Sequence, residues 1–197
     1  MCEIMKSLSD AELLSTVVGN KHAARMLKDS RGSLAVLLND PVAPYGSEGR
    51  VNVKLQAAKE LIRRSLLEAL RQRDTLSSPG RVRDYLGMTL ASRDYEVFVV
   101  LFLDAQNRVI ECEEMFRGTL TQTSVYPREV VKRTLYHNAA AVIFAHNHPS
   151  GLAEPSHADE TLTQALKQAL ALIDVKVLDH FVIATSGMMS FAERGLL

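Results

Sequence analysis

The chain has 197 residues, 47% of them hydrophobic, and 23 Lys and Arg against 23 Asp and Glu, a formal net charge of zero. That is enough material for one domain of ordinary size and a small second one, and the neutral balance gives no global pull on nucleic acid or an anionic membrane. Only Cys2 and Cys112 stand against a disulfide framework, no apolar run approaches the roughly 18 residues of a membrane span, and MCEIMKSLSDAELL carries no signal-peptide pattern, so a soluble cytoplasmic protein is expected.

Residues 7–74 read as short helices. LSDAELLSTVVG starts at Ser9 or Asp10 as N-cap and stops near Gly19, and KHAARMLKDS and SLAVLLND follow. APYGSEGR is a turn-rich break. The longest helical pattern is VNVKLQAAKELIRRSLLEALRQRD, with Leu55, Ala58, Ile62, Leu66 and Leu70 at helical spacing. TLSSPG, residues 75–80, has the punctuation of a linker or helix entry. The expected division is therefore 1–74, a small helical region, and 75–197, an α/β domain.

Within that domain RVRDYLGMTLA reads as a helix. EVFVVLFLDAQNRVIECEEMF reads as two strands joined by a hairpin-like turn at Asp104–Asn107. YPREVVKRTLYHNA is a helix with Pro127 in its first turn. AAVIFAH is a short buried strand. SHADETLTQALKQALALI is a helix capped by Ser156, and KVLDHFVIAT and MMSFAE close the chain as strands.

The chemistry concentrates in HNHPSGLAEPSHAD, residues 146–159. His146 and His148 are two apart, so an extended chain turns both rings to one face, at a strand end where loops carry functional groups. Pro149-Ser150-Gly151 and Pro155 stiffen a loop that can return Asp159 to them. Two imidazoles and a carboxylate form a normal ligand set for catalytic Zn2+, with a fourth position left for water. Ser156-x-x-Asp159 also scans as a helix cap with its acid at N3, and both readings of Asp159 stand. His180, in LDHFVIA, reads as a buried supporting group. His157 reads as an exposed loop residue, and His22 and His137 as helix-surface residues. Ser150 lacks the strand-turn-helix setting of a nucleophile.

The stretch from His146 to Asp159 resembles the JAMM motif of the MPN-type metalloproteases. AHNHPSG, with YPREVVKRTLYHNAAAVIFA before it and VLDHFVIA and SFAERGLL after it, is similar to the bacterial RadC family over residues 76–197. The resemblance implies an MPN/JAMM-like, cytidine-deaminase-like fold: a mixed sheet flanked by helices, with a small N-terminal helical region. It also implies zinc on His146, His148 and Asp159, and an upstream glutamate that activates a water. Glu96, Glu113, Glu114 and Glu129 are the glutamates to weigh. Glu96 opens EVFVVLFLD, an acid beside an apolar element, as the matching residue does in JAMM proteins, and is the expected base. Glu129 is the runner-up, and Glu113 and Glu114 are expected to face solvent. Ser156 would donate to a developing oxyanion.

Three function classes follow. The first is a zinc metallohydrolase cleaving a peptide or other amide. The second is a nucleic-acid repair or processing factor of the RadC type. The third is a non-catalytic partner-binding MPN scaffold, which would ordinarily lack part of the His-His-Asp set. The family's helical region carries a helix-hairpin-helix with a Gly-hydrophobic-Gly turn. Here Glu48 stands between Gly46 and Gly49, putting a carboxylate where backbone amides would meet phosphate.

Overall fold

A computed structural model describes residues 7–34, 37, 49–76, 79–91, 93–118 and 125–197. The SLAVLLND helix and the Gly46–Gly49 turn fall mainly outside them. The chain divides into two compact units, residues 1–64 and 65–197.

In the first unit, α1 spans Asp10–Val18 and α2 spans Asn20–Asp29. Ser9 caps α1 in a reciprocal box: its hydroxyl accepts from the Glu12 N–H, and Glu12 accepts from the Ser9 N–H at 2.7 Å. Gly19, at φ 88°, turns the chain directly into α2. Leu14, Val18, Ala23, Met26, Leu37 and Leu55 form one small buried cluster.

Helix α3, Gly49–Gln72, carries residues of both units. Its Leu66, Leu67 and Leu70 belong to the second unit's core, where α4, Pro79–Leu90, packs beside them. The sheet contains β1 Val97–Leu103, β2 Val109–Arg117, β3 Ala141–Asn147, β4 Lys176–Ala184 and β5 Gly187–Ser190, in the order β2-β1-β3-β4-β5. All neighbours are antiparallel except β3 and β4. The turn between β1 and β2 is tightened by Asp104, whose carboxylate accepts from the N–H groups of Gln106 and Arg108.

Helices cover both faces of the sheet, so β1 is apolar throughout and β3 is apolar from Ala141 to Ala145. Val97, Val99, Leu101 and Leu103 of β1 join Ile143 and Ala145 of β3 in the core shared with α4. Phe98, Val100 and Phe102 join Val142 and Phe144 on the other face. There they meet Val130 of α5, Pro127–Tyr136, and Leu166 and Leu170 of α6, His157–Ala171. This is the α/β architecture of a mixed sheet flanked by helices that the sequence implies. The chain's end departs in detail: Phe191–Arg194 form a one-turn helix, α7, where a strand is expected. The Ser190 hydroxyl accepts from the Glu193 N–H, and Gly195 closes the turn at φ 70°. Among the described residues no helix is long and apolar enough to cross a membrane.

Candidate metal centre

The row of β3 residues on the α6 side runs Val142, Phe144 and then His146, which is 1% exposed. Period-two alternation thus ends an apolar row on an imidazole. His148 follows just past the strand, held by its N–H to the Ile183 carbonyl at 2.8 Å. The loop then turns at Gly151, with φ 88°, where a Cβ would come within 2.9 Å of Thr185 Oγ1. Arg194 clamps the loop further along through two bonds to Glu154. Asp159 enters from the first turn of α6.

These elements bring His146, His148 and Asp159 together, with ligand atoms all within 4.8 Å of one another, and the group could hold a metal ion. His146 Nε2 is 3.0 Å from His148 Nε2 and 3.4 Å from Asp159 Oδ1, and His148 Nε2 is 3.5 Å from Asp159 Oδ2. Two ligands bound at about 2.0–2.1 Å with tetrahedral angles would be about 3.3 Å apart, so the donor set fits. Two imidazole nitrogens this close repel through their lone pairs unless a proton or cation lies between them.

The electrostatics agree. Burial alone would raise the Asp159 carboxyl, but the approach of His146 and His148 outweighs it and holds the group well below the carboxylate range. His148 is raised above the ordinary histidine value, chiefly by Asp159, with a smaller pull from the charge of Glu96. Its Nδ1 donates to the Leu152 carbonyl at 3.1 Å. Asp159 is both cap and potential ligand: its Oδ2 accepts from the Ser156 N–H and hydroxyl, each at 2.7 Å. The cap read from the sequence is formed, and the same carboxylate lies in the group that could hold a metal.

Glu96 lies just before β1, partly buried. Phe98 pairs with His146 at the last rung of the β1–β3 ladder, two residues from Glu96, and the charge of Glu96 reaches His148. Asn147, pointing to the other face, ties this segment down. Its Oδ1 accepts from the Val97 N–H at 2.8 Å, and its Nδ2 donates to the Tyr95 and Arg93 carbonyls at 3.0 and 3.3 Å. Sequence reasoning missed Asn147; its position between the two histidines on a strand end was the available signal. Glu129 instead pairs with Lys132 and Arg128 on the outer side of α5.

Glu113 is not a solvated strand residue: it pairs with Arg133 and with His137, which is only 11% exposed. Glu114 pairs with Arg93 and Arg117. His157 is exposed at the start of α6. His180 is fully buried behind His146, and burial pushes its pKa well down.

Residues 76–196 match the family model described as a RadC-like JAB domain. A UPF0758 protein of Nitrosospira multiformis is 55% identical over 201 residues, covering 96% of this chain and 90% of that protein. UPF0758 proteins of Nitrosomonas europaea and Nitrosomonas eutropha are 56% and 57% identical, covering 97% and 96% of this chain and 90% of each relative. With the sheet, the His-His-Asp group and these relatives in agreement, the chain belongs to the RadC family and carries an MPN/JAB-type domain.

Proposed function

We propose that the protein is a zinc-dependent hydrolase of amide bonds, of the peptidase or isopeptidase type. His146, His148 and Asp159 would hold the ion, Glu96 would serve as general base, and Ser156 would stand at the rim. The convergence of the three ligand side chains, with contacts of 3.0, 3.4 and 3.5 Å between them, supports this reading most directly. A zinc ion bound there supplies a water of lowered pKa and polarises a substrate carbonyl.

The chain's own residues would do the rest. Glu96 would take the proton of the attacking water and deliver it to the leaving amine. Its attraction to His148 and its place two residues before Phe98, which pairs with His146, favour it over Glu129, whose carboxylate is paired elsewhere. The Ser156 hydroxyl now donates to Asp159, so service to an oxyanion requires it to turn towards the substrate. Such a donor is worth roughly 3 kcal/mol of transition-state stabilisation. The complete ligand set favours catalysis over a scaffold role.

The test is zinc-reconstituted protein presented with a panel of peptide and isopeptide amides. Cleavage that disappears with chelator and returns with zinc is expected. Stoichiometric zinc with no cleavage of any amide would leave a metal-binding protein and overturn the hydrolase.

A further inference from the structure

His180 on β4 is fully buried, its ring against those of Phe98, Phe144 and Phe191. Its Nε2 is 2.8 Å from His146 Nδ1, and its Nδ1 is 2.7 Å from Thr163 Oγ1. Thr163, equally buried and one turn along α6 from Asp159, lies 2.6 Å from the Asp159 carbonyl oxygen. A row of contacts therefore runs from one ligand, His146, to the backbone of another, Asp159.

The protons in that row have one consistent order. A carbonyl has no proton to give, so Thr163 donates its hydroxyl to Asp159. With that proton committed, Thr163 Oγ1 can only accept from His180, whose Nδ1 must carry hydrogen. Burial among three phenylalanines disfavours a charged ring, which leaves His180 Nε2 bare and accepting. His146 must then donate from Nδ1. A neutral imidazole protonated at Nδ1 presents its lone pair at Nε2, the atom facing His148 and Asp159.

We propose that His180 and Thr163 are positioning residues that lock His146 in its Nδ1–H tautomer, keeping Nε2 bare for a metal. The row also fixes the ring's rotation, and it anchors on α6, so it holds the histidine and carboxylate ligands in mutual register. The usefulness of this arrangement rests on the metal reading above. The proton order does not, because it follows from contacts present without an ion.

The experiment is carried out on the full chain with two readouts: ring-nitrogen NMR of histidine-labelled, metal-free protein, and a zinc competition titration. In the parent protein His146 is expected as the Nδ1–H tautomer. His180→Phe keeps an aromatic ring in the cage but removes the acceptor, so His146 should lose its single tautomer and zinc affinity should fall about 10- to 100-fold. His180→Gln, whose amide oxygen can reach the place of Nε2, should recover much of both. Thr163→Val should disturb the His180 tautomer and weaken zinc by less.

An Nε2–H tautomer at His146 in the parent protein overturns the proposal. So does His180→Phe with an unchanged tautomer and a zinc affinity within about threefold of the parent. Should His180→Phe fail to fold, the Gln and Val variants decide by the same readouts. Absence of zinc binding by the parent protein would overturn the metal reading, and the NMR result would still decide the proton order.

Discussion

Asp159 faces Ser156 with one oxygen and His146 with the other: Oδ2 accepts from the Ser156 N–H and hydroxyl at 2.7 Å and lies 3.5 Å from His148 Nε2, while Oδ1 stands 3.4 Å from His146 Nε2. The start of α6 therefore aims the carboxylate. Asp159→Asn retains an oxygen for the capping box but loses the charge, so the start of α6 should persist while zinc binding is lost. Ser156→Ala should cost about 1 kcal/mol of stability and leave zinc bound more weakly. Denaturant titration beside a zinc titration separates the two, and parallel losses in both variants would contradict the division of labour.

Glu96→Gln keeps the size of the side chain and removes the proposed base. Zinc should remain, and amide hydrolysis should fall about a hundredfold or more. Glu129→Gln breaks only a surface pairing with Lys132 and Arg128 and should leave turnover near that of the parent. Asn147→Ala releases the Arg93–Val97 segment that carries Glu96. It should cost about 1–3 kcal/mol of stability and lower kcat while zinc stays bound. Loss of zinc from Glu96→Gln would make Glu96 a ligand instead.

The Glu113 cluster should give a pH-dependent stability. The Arg133 guanidinium, helped by His137, holds the Glu113 carboxyl below its ordinary range. A carboxylate depressed on folding contributes stability that is fully present above its unfolded value and is lost as pH falls through its folded value. The parent protein should thus exceed Glu113→Gln in stability at about pH 6 and lose that advantage below about pH 4. Chemical unfolding at stepped pH reads the difference, and a constant gap throughout would place the effect in packing rather than charge.

Most of this architecture is written locally. The period-two apolar rows of β1 and β3 identify both strands, Ser9 and Ser156 mark their helices, and the His-x-His spacing marks a shared face. Other features depend on contacts distant in sequence. Leu66, Leu67 and Leu70 continue an unbroken helical pattern, and nothing local says that their apolar faces belong to the sheet's core. Phe191–Arg194 follow an apolar strand pattern, and only the Ser190 cap and Gly195 reveal the helix. His137 scans as a helix-surface residue because its partner, Glu113, is on a strand formed earlier in the chain. Asn147 and Thr163 are ordinary polar residues until the fold sets them against Val97 and His180.

The core contact of α3 bears on where the second domain begins. Leu70 is 1% exposed among residues of the sheet and α4. A chain starting at Ser65 should unfold cooperatively on heating. One starting at Leu76, the boundary read from the sequence, gives up Leu66, Leu67 and Leu70 and should melt lower. Equal melting temperatures for the two would show that the last turns of α3 add nothing to the core.

The central claim is that His146, His148 and Asp159 form one metal site. Its most direct test is the zinc content of the parent protein and of the His146→Ala/His148→Ala double variant after identical reconstitution and removal of free metal. One zinc per chain in the parent and none in the double variant is the predicted result; equal zinc in both would contradict the site.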